Sequence, residues 1–183
     1  IRAKLKKLAE KIKTEAANYS TNIRVFTDSA PVLEVGIAEK AGLGWRGKHT
    51  LLLNKDHGSW FFLGEIYTNL PLPYDEEVTS HCGTCKACID ICPTKAIIAP
   101  YKLDARKCIS YLTIENKNEI PIEYRKAIGN RVYGCDDCQL VCPWNKYAKL
   151  TNEKDFLVRH DLNNLSLIDS FKFSEKDFNN VFK

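Results

Sequence analysis

Eight cysteines lie between Cys82 and Cys142, and the other residues of the 183-residue chain include none. Cys82, Cys85, Cys88 and Cys92, the last followed by Pro93, spell C-x2-C-x2-C-x3-C-P. That is the thiolate spacing with which bacterial ferredoxins hold 4Fe–4S cubes. Three thiolates on this pitch reach three irons of one cube, while the fourth, on a turn fixed by proline, points to a second cube. Counting back from Cys142-Pro143 gives Cys138 and Cys135, but position 132 holds Val132, and Cys108 is the one thiol left over. Eight thiolates for two four-ligand cubes leave no remainder. The spacing therefore assigns Cys82, Cys85, Cys88 and Cys142 to one cluster, and Cys92, Cys108, Cys135 and Cys138 to the other.

Two plainer readings compete. A disulfide framework suits short secreted chains that are cysteine-dense throughout, whereas these cysteines occupy one window and no signal-like apolar segment leads the chain. Structural zinc would use two C-x2-C pairs. It leaves the third cysteine at the same pitch, and the two Cys-Pro endings, without a purpose.

The chain is long enough for one or two compact domains with a core. It starts at Ile1 and has no methionine, so it is expected to be a piece of a longer protein. No stretch approaches 18 apolar residues without charge, so no membrane span is expected. Oxygen-sensitive clusters and free thiols suit a reducing interior, and the expected location is cytoplasmic. The formal charge is +4 with thiols neutral. Two clusters with their thiolates would bring it to about zero, so net basicity says little about nucleic acid.

Around the cysteines, Leu5, Leu8 and Ile12 fall at helical spacing within 2–18. Ile23 to Thr27 reads as a strand running into Asp28, and Ser29, Pro31 and Glu34 read as start signals of a helix to about Ala41. His49–Asn54 and Ser59–Tyr67 read as strands joined by a turn over Lys55–Gly58. Pro71 and Pro73, followed by Asp75, Glu76 and Glu77, mark a boundary. Helices are expected at 94–99, 104–115 and 121–129. The fold class is α+β, with domains at 1–77, 78–150 and 151–183, the last opening a helical region. A two-cluster module moves electrons without defining a substrate.

Asp28 sits where strand passes to helix, a place from which active-site groups emerge in α/β layers; by composition it could equally cap the helix. Gly42 to Thr50 offers backbone amides, two cations and an aromatic, but lacks the spacing of a phosphate loop. Ser59–Gly64 could face a flat cofactor, although a buried core strand is the commoner meaning.

Several strings taken in order resemble a known family. TDSAPVLE (27–34), AEKAGLGWRGKHTLLLN (38–54), GSWFFLGEIYTNL (58–70), HCGTCKACIDICPTKAI (81–97), LDARKCISYLTIE (103–115) and GNRVYGCDDCQLVCPWN (129–145) are similar to epoxyqueuosine reductase. The resemblance covers roughly residues 23–150, with Arg46 where an apolar residue is expected. It implies a partial cobalamin-binding α/β sheet domain followed by a ferredoxin-like double 4Fe–4S domain, in a family that is longer at both ends.

It also implies a function. The clusters pass electrons to a base-off cobalamin, which reduces epoxyqueuosine in the anticodon loop of tRNA to queuosine, with loss of water. Asp28 matches the acid that protonates the departing oxygen, since an opening epoxide needs a proton donor within hydrogen-bond reach. A carboxyl group keeps its proton near neutral pH where water is excluded, as under a cofactor. By the same match Asp28, Gly47, Lys48, His49, Thr50, Leu52, Leu63, Ser110, Cys135 and Asp136 would line the cobalamin site. For Ser110 a plain helix-surface serine stands as an equal alternative, and neither His49 nor His57 is favoured as a cobalt ligand. Lys117, Arg125 and Arg131 could meet tRNA phosphates, with a solvated charged face as the default. A monomer is expected, and the electron donor is not legible. Two other functions compete: a cobalamin-dependent reductive dehalogenase, usually exported behind a twin-arginine leader and using a tyrosine donor, and a ferredoxin-like electron-transfer module. The second leaves residues 23–70 without purpose.

Overall fold

The computed structural model describes residues 1–182. These fold as two compact units, Ile1–Ala148 and Lys149 onward. The first unit begins with α1 (Arg2–Glu15), β1 (Ile23–Phe26), α2 (Glu34–Lys40), β2 (Trp45–Arg46), β3 (Leu52–Leu53) and β4 (Glu65–Thr68). It continues with α3 (Ala87–Ile91), β5 (Ile97–Ala99), β6 (Lys102–Leu103), α4 (Ile109–Ile114), α5 (Ile122–Ile128) and α6 (Asp137–Leu140). Helix and sheet are mixed, as expected. Among the described residues the strands form three separate two-stranded antiparallel sheets, β1–β4, β2–β3 and β5–β6.

Asp28 therefore follows an antiparallel pair in which Val25 faces Ile66 and Phe26 faces Glu65, rather than a parallel α/β layer. The helix after it starts late: Leu33 is its N-cap, with no side-chain cap, so Ser29 and Pro31 lie in the loop and Asp28 caps nothing there. The expected helix at 94–99 is instead β5. Lys95 (φ 52°) and Tyr101 (φ 66°) bend the backbone sharply on either side of it. The β-branched Ile97 and Ile98 between them suit a strand, and Ala96 and Ile97 enter the core. The expected helix at 104–115 is broken at Cys108, which is extended (φ −68°, ψ 126°) between a 3-10 turn, Ala105–Lys107, and α4. Asp104 starts that turn by accepting the Arg106 amide.

The turn over Lys55–Gly58 forms as expected, with reciprocal amide bonds between Asn54 and Gly58 at 2.8 and 2.9 Å. The chain beyond it does not continue back along β3. Ser59–Leu63 is irregular, with Trp60 and Phe62 exposed, and the next strand joins β1. The reason lies in what Gly58 and Ser59 touch. Asn145 Oδ1 accepts the Ser59 amide at 2.6 Å, and its Nδ2 donates to the Gln139 carbonyl at 2.6 Å. The Ser59 hydroxyl donates to Gln139 Oε1 at 2.9 Å. Gly58 (φ 66°) lies so close that an added Cβ would collide with Asn145 Oδ1 and come within 3.1 Å of the Trp144 carbonyl. This network, with the edge-on packing of Trp45 on Trp144 (centroids 5.0 Å) and on His81 (4.9 Å), fastens the N-terminal half to the second Cys-Pro turn.

The second unit carries 3-10 turns at Lys154–Phe156 and Leu162–Asn164 and two short helices, α7 (Leu167–Ser170) and α8 (Glu175–Phe182). Ser166 caps α7 by accepting the Asp169 amide. Among the described residues no helix is long and apolar enough to cross a membrane.

Replacing Gly58 with alanine meets both a left-handed backbone and a filled space, and Asn145→Ala leaves part-buried groups unpaired. Each is expected to lower stability by about 2–3 kcal/mol, read as a reduced denaturant midpoint; wild-type midpoints would refute the fastening role.

Candidate functional site

Each cysteine motif is carried by a short helix ending at a Cys-Pro turn. In the first, α3 opens after Cys85 and closes at Cys92, whose φ of −58° and ψ of 114° turn its thiol away from those of the helix. In the second, α6 closes at Val141 and Cys142 is again extended. The two helices lie against each other, so each extended cysteine is delivered to the other motif.

The result is two cavities. One, of about 260 Å³, is lined by Cys82, Cys85, Cys88 and Cys142. The other, of about 170 Å³, is lined by Cys92, Cys108, Cys135 and Cys138. All eight are free thiols. Among the described residues no three His, Cys, Asp or Glu side chains converge as one metal ion requires; the thiols surround a space instead. Four thiols around a space suit a polynuclear core whose own atoms occupy the middle.

Electrostatics couple the thiols most strongly within each set. Burial, then Cys142, Cys82 and Cys85, push Cys88 up to about 11. Burial, then Cys135 and Cys108 and after them Cys88 and Cys92, push Cys138 up to about 12, so the influence of its own set leads but is not exclusive. Cys142 is raised by burial and then by Cys82 and Cys85. Both Cys-Pro thiols receive backbone amides, Cys92 from Ala96 at 3.2 Å and Cys142 from Trp144 and Asn145. For Cys92 burial is the largest influence, yet the amides and the Thr94 hydroxyl outweigh it and lower the thiol overall.

The candidate cobalamin residues fall into three places. Thr50, Ser110, Cys135 and Asp136 line the second cavity together with His49. Gly47, Lys48 and Leu52 are buried and do not line it. Lys48 turns towards the first cavity, where its Nζ donates to the Gly83 and Cys85 carbonyls at 2.6 and 2.8 Å. His49, 3 % exposed, borders both cavities. Its Nδ1 accepts the Leu51 amide at 3.2 Å, its Nε2 has no partner among the described residues, and burial lowers it to about 4. Asp28 and Leu63 lie together elsewhere, where the Thr27 hydroxyl donates to the Leu63 carbonyl at 3.3 Å.

Asp28 is exposed and has a left-handed backbone, φ 55°. Its amide donates to Glu34 Oε1 at 2.8 Å. Sequence reasoning passed over Glu65, which lies opposite Phe26 and is only 8 % exposed, with Oε2 unpartnered among the described residues. Burial, then Glu34, raise its carboxyl. The signal was available: an acid inside the otherwise apolar run WFFLGEIY.

Of the cations considered for phosphate, Arg131 is committed to Asp137 at 2.6 Å and to the Ile128 carbonyl at 2.9 Å. Arg125 binds the Ile120 carbonyl and reaches Glu119 at 3.6 Å. Lys117 is exposed.

In the apoprotein at about pH 8, exposed Cys85 is expected to react first with iodoacetamide. Cys138, short of thiolate at any pH well below its raised value, should react at least ~tenfold more slowly. Equal labelling, read by peptide mass spectrometry, would contradict the protection assigned to it.

Residues 81–145 match a 4Fe-4S double cluster binding domain. The chain is 59% identical to the epoxyqueuosine reductase of Xanthomonas campestris over 178 residues, 97% of this chain and 50% of that one. It superposes on epoxyqueuosine reductase from Streptococcus thermophilus with a TM-score of 0.87 at 34% identity, covering 99% of this chain and 47% of the other. A further solved structure is an epoxyqueuosine reductase with an epoxyqueuosine-modified tRNA-Tyr stem loop, at TM-score 0.77 and 34% identity over 84% of this chain and 41% of that one. Matched along nearly all its residues, the chain belongs by sequence to the epoxyqueuosine reductase family, and it spans about half the length of the relatives it matches.

Proposed function

We propose that this chain is the electron-delivering and acid-bearing part of an enzyme that reduces epoxyqueuosine to queuosine in tRNA. The observation that carries the reading is the sorting of eight thiols into two separate sets of four, in a chain this similar to epoxyqueuosine reductases. Cys82, Cys85, Cys88 and Cys142 hold one 4Fe–4S cluster. Cys92, Cys108, Cys135 and Cys138 hold the other, in a ferredoxin-like module that follows part of a cobalamin-binding sheet domain. When bound, the clusters supply single electrons and the cobalamin a strongly reducing centre against the epoxide.

Some residues that line the second cavity beside its thiols are polar and suit contact with a neighbouring cofactor. Thr50, Ser110 and Asp136 offer it hydroxyl and carboxylate groups, and the buried, unpartnered His49 Nε2 marks polar capacity that the chain itself does not use. Asp28 and Leu63 extend the contact beyond the cavity. Asp28 gives the proton to the departing oxygen. Its left-handed backbone and the Glu34 bond to its amide hold that carboxyl on a short loop, and a covering ligand would exclude water from it. The substrate partner is tRNA carrying epoxyqueuosine in its anticodon loop, bound by a monomer in the cytoplasm, and the structure bound to a modified stem loop supports that partner.

The test uses the full-length protein, reconstituted anaerobically with cobalamin, a chemical reductant and epoxyqueuosine-containing tRNA. Queuosine followed by mass spectrometry is the readout, and unchanged substrate with reduced cobalt rejects the reading. Asp28→Asn should lower turnover roughly 10²–10⁴-fold while the cobalamin absorption bands persist; near-normal turnover would remove the acid role. Wild type should contain about eight irons, and Cys88→Ala and Cys138→Ala should each lose about half of them.

A further inference from the structure

We propose that the fixed charges around the two thiol sets give the clusters unequal potentials, the Cys82–Cys85–Cys88–Cys142 centre being the easier to reduce. This inference rests on the reading of the two sets as 4Fe–4S clusters. It concerns what the surrounding residues do to them.

The two cavities differ in the sign of their walls. The first is lined by Lys48, Lys146 and His81 and, among the described residues, by no carboxylate; His49 borders both cavities and does not distinguish them. The second is lined by Asp136 and Asp137 and by no lysine or arginine. Reducing a 4Fe–4S cluster adds one negative charge to an already anionic group, so a nearby cation favours the reduced form and an anion opposes it. Distance and burial decide how strongly.

Lys48 dominates on those grounds. It is 9 % exposed, and its ammonium is held by the carbonyls of Gly83 and Cys85, inside the loop that carries the first two thiols. Among the described residues it has no carboxylate partner, so its charge is not cancelled within the chain. Lys146 is exposed, with its Nζ over the Tyr147 ring at 4.7 Å, and solvent screens it. At the second cavity, the Asp137 charge is met by Arg131 at 2.6 Å. Asp136, exposed and therefore screened like Lys146, accepts the side-chain amide of Gln139 at 3.3 Å, so among the described residues the second wall has no buried cation to match Lys48.

Two other influences on potential do not reverse the order. Amide donors to thiolates occur on both sides, at Cys92 from Ala96 and at Cys142 from Trp144 and Asn145. Solvent access does not separate the sets, since the first holds both exposed Cys85 and buried Cys88 while Cys92, Cys108, Cys135 and Cys138 are each half-buried.

The order has a use. Converting an epoxide to an alkene and water consumes two electrons and two protons. A low-potential one-electron donor would load the Cys82 centre first and the other second. The second, more reducing centre is the one that shares its cavity with Thr50, Ser110 and Asp136, the residues assigned to cobalamin.

The test is a mediated dithionite titration of the cluster-loaded full-length protein, read by electron paramagnetic resonance. Two one-electron waves are expected, differing at least tenfold in reduced-to-oxidised ratio at any set potential, which is ~59 mV for a one-electron couple. Lys48→Met should move the upper wave downwards by a comparable factor, Lys48→Arg should largely restore it, and Asp136→Asn should raise the lower wave alone. Coincident wild-type waves overturn the proposal. So does a Lys48→Met protein whose retained clusters keep their potentials, because that marks Lys48 as a mechanical clamp only. Should Lys48→Met shed its cluster, the Asp136→Asn wave decides, and an unmoved lower wave overturns the proposal. Iron and sulfide analysis separates these outcomes from failure of the cluster reading, which would show as fewer than two clusters per wild-type chain.

Discussion

Four thiols facing one small space repel one another as soon as they ionise, and the first unit is organised around holding two such sets in place. Burial and mutual proximity keep several of these thiols protonated in the bare chain, Cys88 and Cys138 most strongly. A group that binds there must therefore displace protons while it supplies positive charge. The helices α3 and α6 are short, and the three strand pairs have few rungs. What replaces a large core is cross-bracing: each Cys-Pro turn serves the opposite motif, so neither set exists without the other.

The N-terminal half takes part in that bracing. Gly58 and Ser59 are sewn to Asn145 and Gln139, Trp45 packs against both His81 and Trp144, and Lys48 ties the Gly83–Cys85 loop. The segment from Trp45 to Ser59 is therefore a wall common to both cavities. His49, which borders each of them, occupies the middle of it. The same few residues fix the thiol loops, set the local charge and face the space where the other cofactor is proposed to bind.

Much of this was legible before any coordinates. The cysteine spacing specifies which thiols share a cavity because thiolate geometry around a cube admits few patterns, and Val132 with the spare Cys108 left one solution. The Asn54–Gly58 turn and α5 were also readable, the first from its glycine and the second from its apolar period. Positions 94–99 were misread as helix because single-residue bends at Lys95 and Tyr101 leave no compositional trace. Ser59–Leu63 was misread as a core strand because its apolar run could not reveal that Gly58 is spent on Asn145, far along the chain. Glu65 escaped notice as a buried charge for a related cause. A charged residue in an apolar string looks like an ordinary surface position until its partners, or their absence, are seen.

The crossing of the two motifs also sets an order of events during synthesis. When the first motif has left the ribosome, its cavity has three thiols, and Cys92 faces a neighbour that does not yet exist. The fourth thiol of that first set arrives only with Cys142, after every ligand of the second set has already emerged. A cluster inserted early would thus have an open corner, and any iron–sulfur donor must either wait for residue 142 or guard an incomplete site. Closure of the pair is a single late step, and the hairpin that latches onto Asn145 is made long before its catch.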